Sequence, residues 1–453
     1  MTSKKDNKHN FYTWFENRNN GQEEFIQAVR ELTDDIFDLV DTSEIYQKWQ
    51  VLQRLTEPDR VISFRVCWQD DKGQVRINRG WRVQYCGAIG PYKGGIRFHP
   101  SVNESVLKFL GFEQTFKNAL THLPIGGAKG GADFDPRECS DGEIMRFCQA
   151  FMNELYRHIG ENTDVPAGDI NVSSREIGYL FGQYRRIANQ FSGTLTGKDI
   201  EFGGSHVRLE ATGFGLIYFV NEMLNSINET WQNKKVAISG AGNVALHAAL
   251  KAIQMGASVV ALSSSKGVLS NDNGFSEEQI KTLINRLSHC HQNSTDLLKS
   301  LEGNSDVTWH KNKKAWFVKS DIALPCATQN ELDENDAKQL IEQGILLVAE
   351  GANMPCTQDA IKYFEDKNIL HAPGKASNAG GVALSGLEMS QNAAFVPMQY
   401  EDLDQQLKSI MKRIHQQCVE HGQQQDNFIH YRKGANIAAF TRVADALVAQ
   451  GVG

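Results

Sequence analysis

The chain has 453 residues, of which 41% are hydrophobic and 22% charged, and its formal net charge is -7. That length calls for two domains, and the composition is that of an ordered globular protein. The acidic balance offers no broad basic surface, no run approaches about 18 apolar residues, and the opening stretch lacks the apolar segment of a secretory leader, so no nucleic-acid partner and no membrane partner are expected. Cys67, Cys86, Cys139, Cys148, Cys290, Cys326, Cys356 and Cys418 form no Cys-x-x-Cys pair. Their scatter predicts small packed side chains, no disulfide framework, no metal site and a reducing cytoplasm.

Residues 1–45 read as helical, with Phe25, Val29, Leu32, Ile36 and Leu39 at helix spacing. The period then changes to two. Ile62, Phe64, Val66 and Trp68, then Val75, Ile77, Trp81, Val83 and Tyr85 beyond the Asp70–Gly73 turn, predict a β-hairpin. Ser101–Glu104 and Ser140–Glu143 fit capping boxes that open two helices, the first with Val106, Leu110, Phe116 and Leu120 on one face, the second with Ile144, Phe147, Phe151, Leu155 and Ile159. Between them Gly126-Gly127-Ala128-Lys129-Gly130-Gly131 reads as a loop, and Asp164–Ile170 as a turn. From about residue 204, short apolar runs alternate with helical patterns: Val236–Ile238, Val259–Leu262, Ile322–Leu324, Leu346–Val348 and Ile369–Leu370. This predicts parallel strands buried on both faces, hence a doubly wound sheet.

Gly240-Ala241-Gly242-Asn243-Val244-Ala245 stands between a strand and a helix. Gly240 permits a tight turn, Gly242 admits a pyrophosphate, and the helix N-terminus supplies N–H groups and positive potential. At the end of the next strand, where an NAD enzyme usually carries a carboxylate, stands Leu262-Ser263-Ser264-Ser265-Lys266. Ser264 and Lys266 would accept a 2′-phosphate, so NADP is favoured, with Arg137 and Arg286 as more distant candidates; the bland alternative is a polar loop.

Lys93 and Lys129 lie in glycine-rich stretches, each followed by two glycines, which suggests backbone passing close to a ligand. Lys117 is either a functional cation or the i+4 partner of Glu113. Asp169 is either a helix N-cap or a carboxylate held beside a lysine for proton transfer.

The stretch Trp81–Gly182 resembles the hexameric glutamate dehydrogenase family, whose members also act on leucine, phenylalanine and valine. So do Glu210–Gly213, Gly240–Ala245, Leu324–Glu331, Ala349–Asn353, Asn378–Gly381 and Glu388–Asn392, and the likeness runs from about residue 45 to the end. It implies an α/β fold of two domains. Residues 1–203 would form a substrate and oligomerisation domain, with a C-terminal helix of about 430–453 packing back on it. Residues 204–429 would form a Rossmann-like dinucleotide-binding domain. It also implies reversible oxidative deamination of L-glutamate to 2-oxoglutarate and ammonium with NADP, in a cytoplasmic homohexamer. Lys93 and Ser385 would bind the γ-carboxylate, Lys117 would hold the α-carboxylate, and Gln114 would also bind the substrate. Lys129 would be the catalytic lysine and Asp169 the group that handles the ammonia proton. Thr212, Gly240, Gly242, Asn243, Val244, Asn353 and Asn378 would contact the cofactor.

The physical logic agrees. A dicarboxylate needs two separate cations, and a third lysine crowded by them would lose its proton readily enough to activate water. Lys93 also favours glutamate, because leucine and phenylalanine dehydrogenases carry an apolar residue there. Ala128, Asn171–Ser174 and Leu209 depart from the family pattern and put turn geometry after Asp169 in doubt. Two rivals stand beside this reading: an NAD-preferring or dual-cofactor glutamate dehydrogenase, and a nucleotide-binding regulatory protein without chemistry.

Overall fold

The computed structural model describes residues 4–289, 293–303, 306–423 and 428–452, and Cys290 lies outside them. By internal contacts the chain forms two compact units. The first comprises Met1–His206, Ser385–Tyr400 and Asn436–Gly453, and the second Val207–Leu384 and Glu401–Ala435. The segment Ser385–Tyr400, expected in the second unit, thus belongs to the first.

The first unit is built on five strands: β1 (Arg60–Gln69), β2 (Val75–Cys86), β3 (Tyr92–Phe98), β4 (Gly127–Ala132) and β5 (Asp164–Gly168), in the order β1-β2-β4-β3-β5. β1 and β2 form the expected hairpin. β3 runs parallel to both β4 and β5. Two expectations fail here. The glycine-rich segment is not a loop but the buried strand β4, and Asp164–Gly168 is not a turn but the edge strand β5.

The glycines of β4 and β3 explain this. A β-carbon at Gly94 would stand 1.6 Å from the Ala128 carbonyl oxygen, and one at Gly131 would stand 2.4 Å from that of Arg97. Glycine follows Lys93 because neighbouring backbone occupies the space, and the same holds at Gly131, two residues beyond Lys129.

Alternation along β3 sends Ile96 and Phe98 to one face and Lys93, Gly95 and Arg97 to the other. Ile96 and Phe98 are buried in a core with Val66, Phe134, Phe147, Phe151 and Leu155. Phe98 packs edge-on against Phe147 and Phe151, and Phe134 stacks on Phe147 with 3.7 Å between ring centres. Each such side chain contributes about 1.5–3 kcal/mol on burial, so this face anchors β3 and leaves the polar face for chemistry.

Helix Glu104–Leu120 starts from Asn103, not Ser101, with the Asn103 side chain accepting the Val106 N–H. Its buried face runs through Leu107, Phe112, Phe116, Ala119 and Leu120, while Val106 and Leu110 are only partly buried. The Ser140 capping box on helix Asp141–Leu155 is present as expected.

The second unit holds seven strands: β6 (Lys235–Ile238), β7 (Ser258–Ser264), β8 (Gly267–Ser270), β9 (Thr308–Lys311), β10 (Ile322–Leu324), β11 (Leu347–Ala349) and β12 (Leu370–Ala372). Their order is β12-β11-β10-β6-β7-β8-β9. The first five in that order are parallel, as expected of a Rossmann-like sheet. β8 and β9 extend it antiparallel and were not anticipated. Among the described residues no helix is long and apolar enough to cross a membrane.

Candidate active site

Strand register brings the first unit's polar groups together. Ile96 pairs with Gly130 on β4 and with Gly168 on β5, so Lys129 and Asp169 lie on either side of β3. A β-carbon at Gly95 would come within 2.7 Å of the Asp169 β-carbon. Glycine there lets Lys129 Nζ reach Asp169 Oδ2 across the strand, at 3.0 Å. Arg97 Nε donates to the same oxygen at 2.8 Å.

Lys129 is 6% exposed. Burial lowers its pKa, Arg97 and Arg82 push the same way, and Asp169 only partly opposes them. For Asp169 burial acts to raise the pKa, but Lys129 and Arg97 outweigh it and hold the carboxyl below its ordinary value. Asp169 does not cap the following helix. Ser173 does, in a capping box with Glu176. Asn171, one of the departures from the family pattern, sits at φ 58°, a conformation asparagine tolerates. Its amide donates to the Phe98 carbonyl at 2.9 Å, so the turn after Asp169 is held without glycine.

Lys93 is 1% exposed, and its Nζ donates to Thr196 Oγ1 at 2.8 Å. Thr196 Oγ1 in turn lies 3.1 Å from Ser385 Oγ. The loop carrying Thr196 is held by Glu388, which accepts from the N–H groups of Gly197 and Lys198 at 2.9 and 3.4 Å and pairs with the buried Lys198 ammonium. Lys117 is partly buried, and burial followed by the charge on Lys129 lowers its pKa to about 8. Gln114, one turn earlier, donates to Asn118 Oδ1 at 2.7 Å. The buried Asn118 amide bonds to the carbonyls of Lys93 and Gly126, tying the Lys117 helix to β3 and to the approach to β4. Beneath the site the fully buried Arg82 pairs with Asp164 and donates to the Gly94 carbonyl at 3.0 Å.

The sequence reading missed Arg97, Thr196 and Asn118. Arg97 was accessible in principle, since it shares the parity of Lys93 on one strand. Thr196 comes from a loop far along the chain and had no local signal.

In the second unit Gly240, at φ 91°, turns the chain from β6 into helix Asn243–Gln254. A β-carbon at Gly242 would meet nothing within 4 Å, and no side chain caps the helix. Its first N–H groups therefore remain available for a phosphate, so this turn fits a dinucleotide. Asn243 is exposed and Val244 partly so. Thr212, on helix Ala211–Ser226, lies against Gly381. Asn353 is exposed, whereas Asn378 is buried and its amide holds the carbonyls of Gly351 and Ala352 and the side chain of Asn353.

Ser264 ends β7 and Lys266 lies in the hairpin turn from β7 into β8, not in a loop into a helix. Ser264 Oγ is 2.8 Å from Thr295 Oγ1, and Lys266 is exposed. Arg137 is paired with Asp135, and Arg286 is exposed. Glu350, Cys356 and His371 form a buried group close enough to hold a metal. The Glu350 carboxylate is already engaged, Oε2 accepting from Gly374 N at 2.7 Å and Oε1 lying 3.2 Å from His371 Nε2.

The sequence model described as Glutamate/Leucine/Phenylalanine/Valine dehydrogenase matches residues 203–451, and the one described as Glu/Leu/Phe/Val dehydrogenase, dimerisation domain matches residues 58–186. A relative from Bacteroides fragilis named NAD-specific glutamate dehydrogenase is 54% identical over 95% of this chain and 96% of its own. One from Escherichia coli named NADP-specific glutamate dehydrogenase is 50% identical over 98% of each. The crystal structure of Plasmodium falciparum glutamate dehydrogenase is 49% identical, with a TM-score of 0.94 over 98% of this chain and 94% of that one. With two lysines and an aspartate converging on one face of the first sheet and a phosphate-binding turn in the second, the chain belongs to the Glutamate/Leucine/Phenylalanine/Valine dehydrogenase family.

Proposed function

We propose that the chain is a glutamate dehydrogenase that interconverts L-glutamate with 2-oxoglutarate and ammonium and prefers NADP. The observation that carries the substrate is the buried ammonium of Lys93, bonded to Thr196 beside Ser385. A buried cation facing hydroxyls suits a carboxylate and would be poorly solvated against an aliphatic side chain. Lys117 and Gln114 would take the α-carboxylate.

Bound NADP would supply a hydride acceptor. The chain's own residues would move the protons. Asp169, held ionised, would accept one from the substrate ammonium. Lys129, readily deprotonated, would take one from the water that attacks the substrate imine carbon, and would then stabilise the developing oxyanion. Gly240, Gly242, Asn243 and Val244 would hold the cofactor pyrophosphate and ribose, with Thr212, Asn353 and Asn378 around the nicotinamide. Residues 1–203 with the C-terminal helix would serve substrate binding and assembly into a homohexamer, and the reaction would run in the cytoplasm.

Ser264 and Lys266 support NADP, since neither repels a 2′-phosphate. An NAD-preferring enzyme is the second reading, favoured by the engagement of the Ser264 hydroxyl with Thr295 and by the name of the Bacteroides fragilis relative. The test follows oxidation of NADPH and of NADH, separately, in the presence of 2-oxoglutarate and ammonium. Fast oxidation of NADPH with little from NADH is expected. Equal or better use of NADH overturns the cofactor preference, and no turnover with either overturns the activity.

A further inference from the structure

We propose that Arg97 is a positioning residue of the reaction: by sharing Asp169 Oδ2 with Lys129, it turns the other oxygen, Oδ1, toward the substrate nitrogen. This inference rests on the glutamate dehydrogenase reading and deepens it.

Both cations bond a single oxygen. Arg97 Nε lies 2.8 Å and Lys129 Nζ 3.0 Å from Oδ2. Among the described residues Oδ1 takes no hydrogen bond, and the Asp169 side chain keeps 19% of its exposure. Donors from two different strands on one oxygen restrict the carboxylate's rotation and leave its second oxygen as the acceptor to be offered outward. The clamp comes from rigid elements, since Arg97 lies on β3 and Lys129 on β4, adjacent in the sheet. Positioning on strands holds geometry more tightly than positioning on loops.

Lys129 cannot act as the clamp alone. In the proposed reaction it exchanges protons, and its bond to Oδ2 changes strength as it does so. Arg97 stays charged throughout. It keeps Oδ2 occupied while Oδ1 accepts one proton from the substrate ammonium, whose nitrogen retains the bonding pair as the neutral amine. The charged groups acting here are Arg97 from β3, Lys129 from β4 and Lys117 from the Glu104–Leu120 helix, with Arg82 of β2 acting on Lys129. Arg97 lowers the pKa of both Asp169 and Lys129. Removing it would raise both, and would move in the same direction the limb on which glutamate oxidation rises with pH.

The experiment compares the full-length protein with Arg97→Gln and Arg97→Lys, measuring kcat and KM for glutamate across pH together with thermal midpoints. For Arg97→Gln, kcat is expected to fall about tenfold to a hundredfold while KM for glutamate moves by less than about threefold. The rising limb should shift to higher pH with the thermal midpoint nearly unchanged. Arg97→Lys should return the limb toward its original position, with part of the kcat loss persisting because an ammonium lacks the fixed planar fork. An active parent whose Arg97→Gln variant keeps its kcat and its limb overturns the role. So does a loss that Arg97→Lys shares in full, with an unmoved limb and a lowered midpoint, which is the signature of a purely structural arginine. A parent inert toward glutamate with either nicotinamide overturns the activity itself, and this role with it.

Discussion

At Lys117, burial and the neighbouring charge of Lys129 bring the ammonium pKa to about 8. A carboxylate binds the charged form, so binding should weaken as pH rises through that value in the uncomplexed enzyme. The dissociation constant of 2-oxoglutarate is expected to rise by up to about tenfold per pH unit above it. Titration calorimetry at pH values on either side of 8 reads this directly, and a flat affinity would remove Lys117 from the anion site. Thr196 permits a second test. Thr196→Val keeps the shape but removes the hydroxyl that bonds Lys93 and faces Ser385. KM for 2-oxoglutarate should rise about tenfold, the cost of a lost hydrogen bond to a charged group, with kcat largely kept; steady-state kinetics would show an unchanged KM if the hydroxyl plays no part. The two tests differ in how visible their residues were beforehand. Lys93, Lys117, Lys129 and Asp169 lie in motifs and could be named from sequence. Thr196 could not, because only folding brings its loop beside β3.

Single elements explain why some motifs were misread. Glycine normally marks loops, so a strand containing Gly127, Gly130 and Gly131 looks like one. β4 is a strand because its neighbours come too close for side chains, and that closeness is a property of the sheet rather than of the segment. A substitution at the tightest contact should therefore be severe. Gly94→Ala places a β-carbon 1.6 Å from the Ala128 oxygen and is expected to destabilise the fold more than Asn171→Ala. The latter leaves alanine in the left-handed region at a cost of about 1–2 kcal/mol. Denaturant melts of the two variants give the comparison, and the opposite ranking would mean that β3 and β4 can separate cheaply. The five parallel strands of the second unit were legible because each holds or adjoins a short apolar run. β8 and β9 were not: they lie at the margin of the sheet, and β9 alternates weakly over four residues.

For the whole molecule, the chain's path between its units was the least legible feature. The first crossing falls between His206 and Val207. The later crossings, at 384/385, 400/401 and 435/436, fall inside helices and leave no trace in composition. Yet the first unit depends on the two late segments that these crossings return to it. Ser385 meets Thr196, Glu388 holds Gly197, Arg442 bonds the carbonyls of Ala119 and Leu123, and Asp445 accepts from Tyr46 at 2.7 Å. On a ribosome, domains generally fold as units, beginning with the N-terminal one. Here that order cannot hold to the end. Lys93, Lys117 and Lys129 are made before Ser385, Glu388, Arg442 and Asp445, so their surroundings stay unfinished until those later segments have emerged, and an early-made stretch of the chain is completed late.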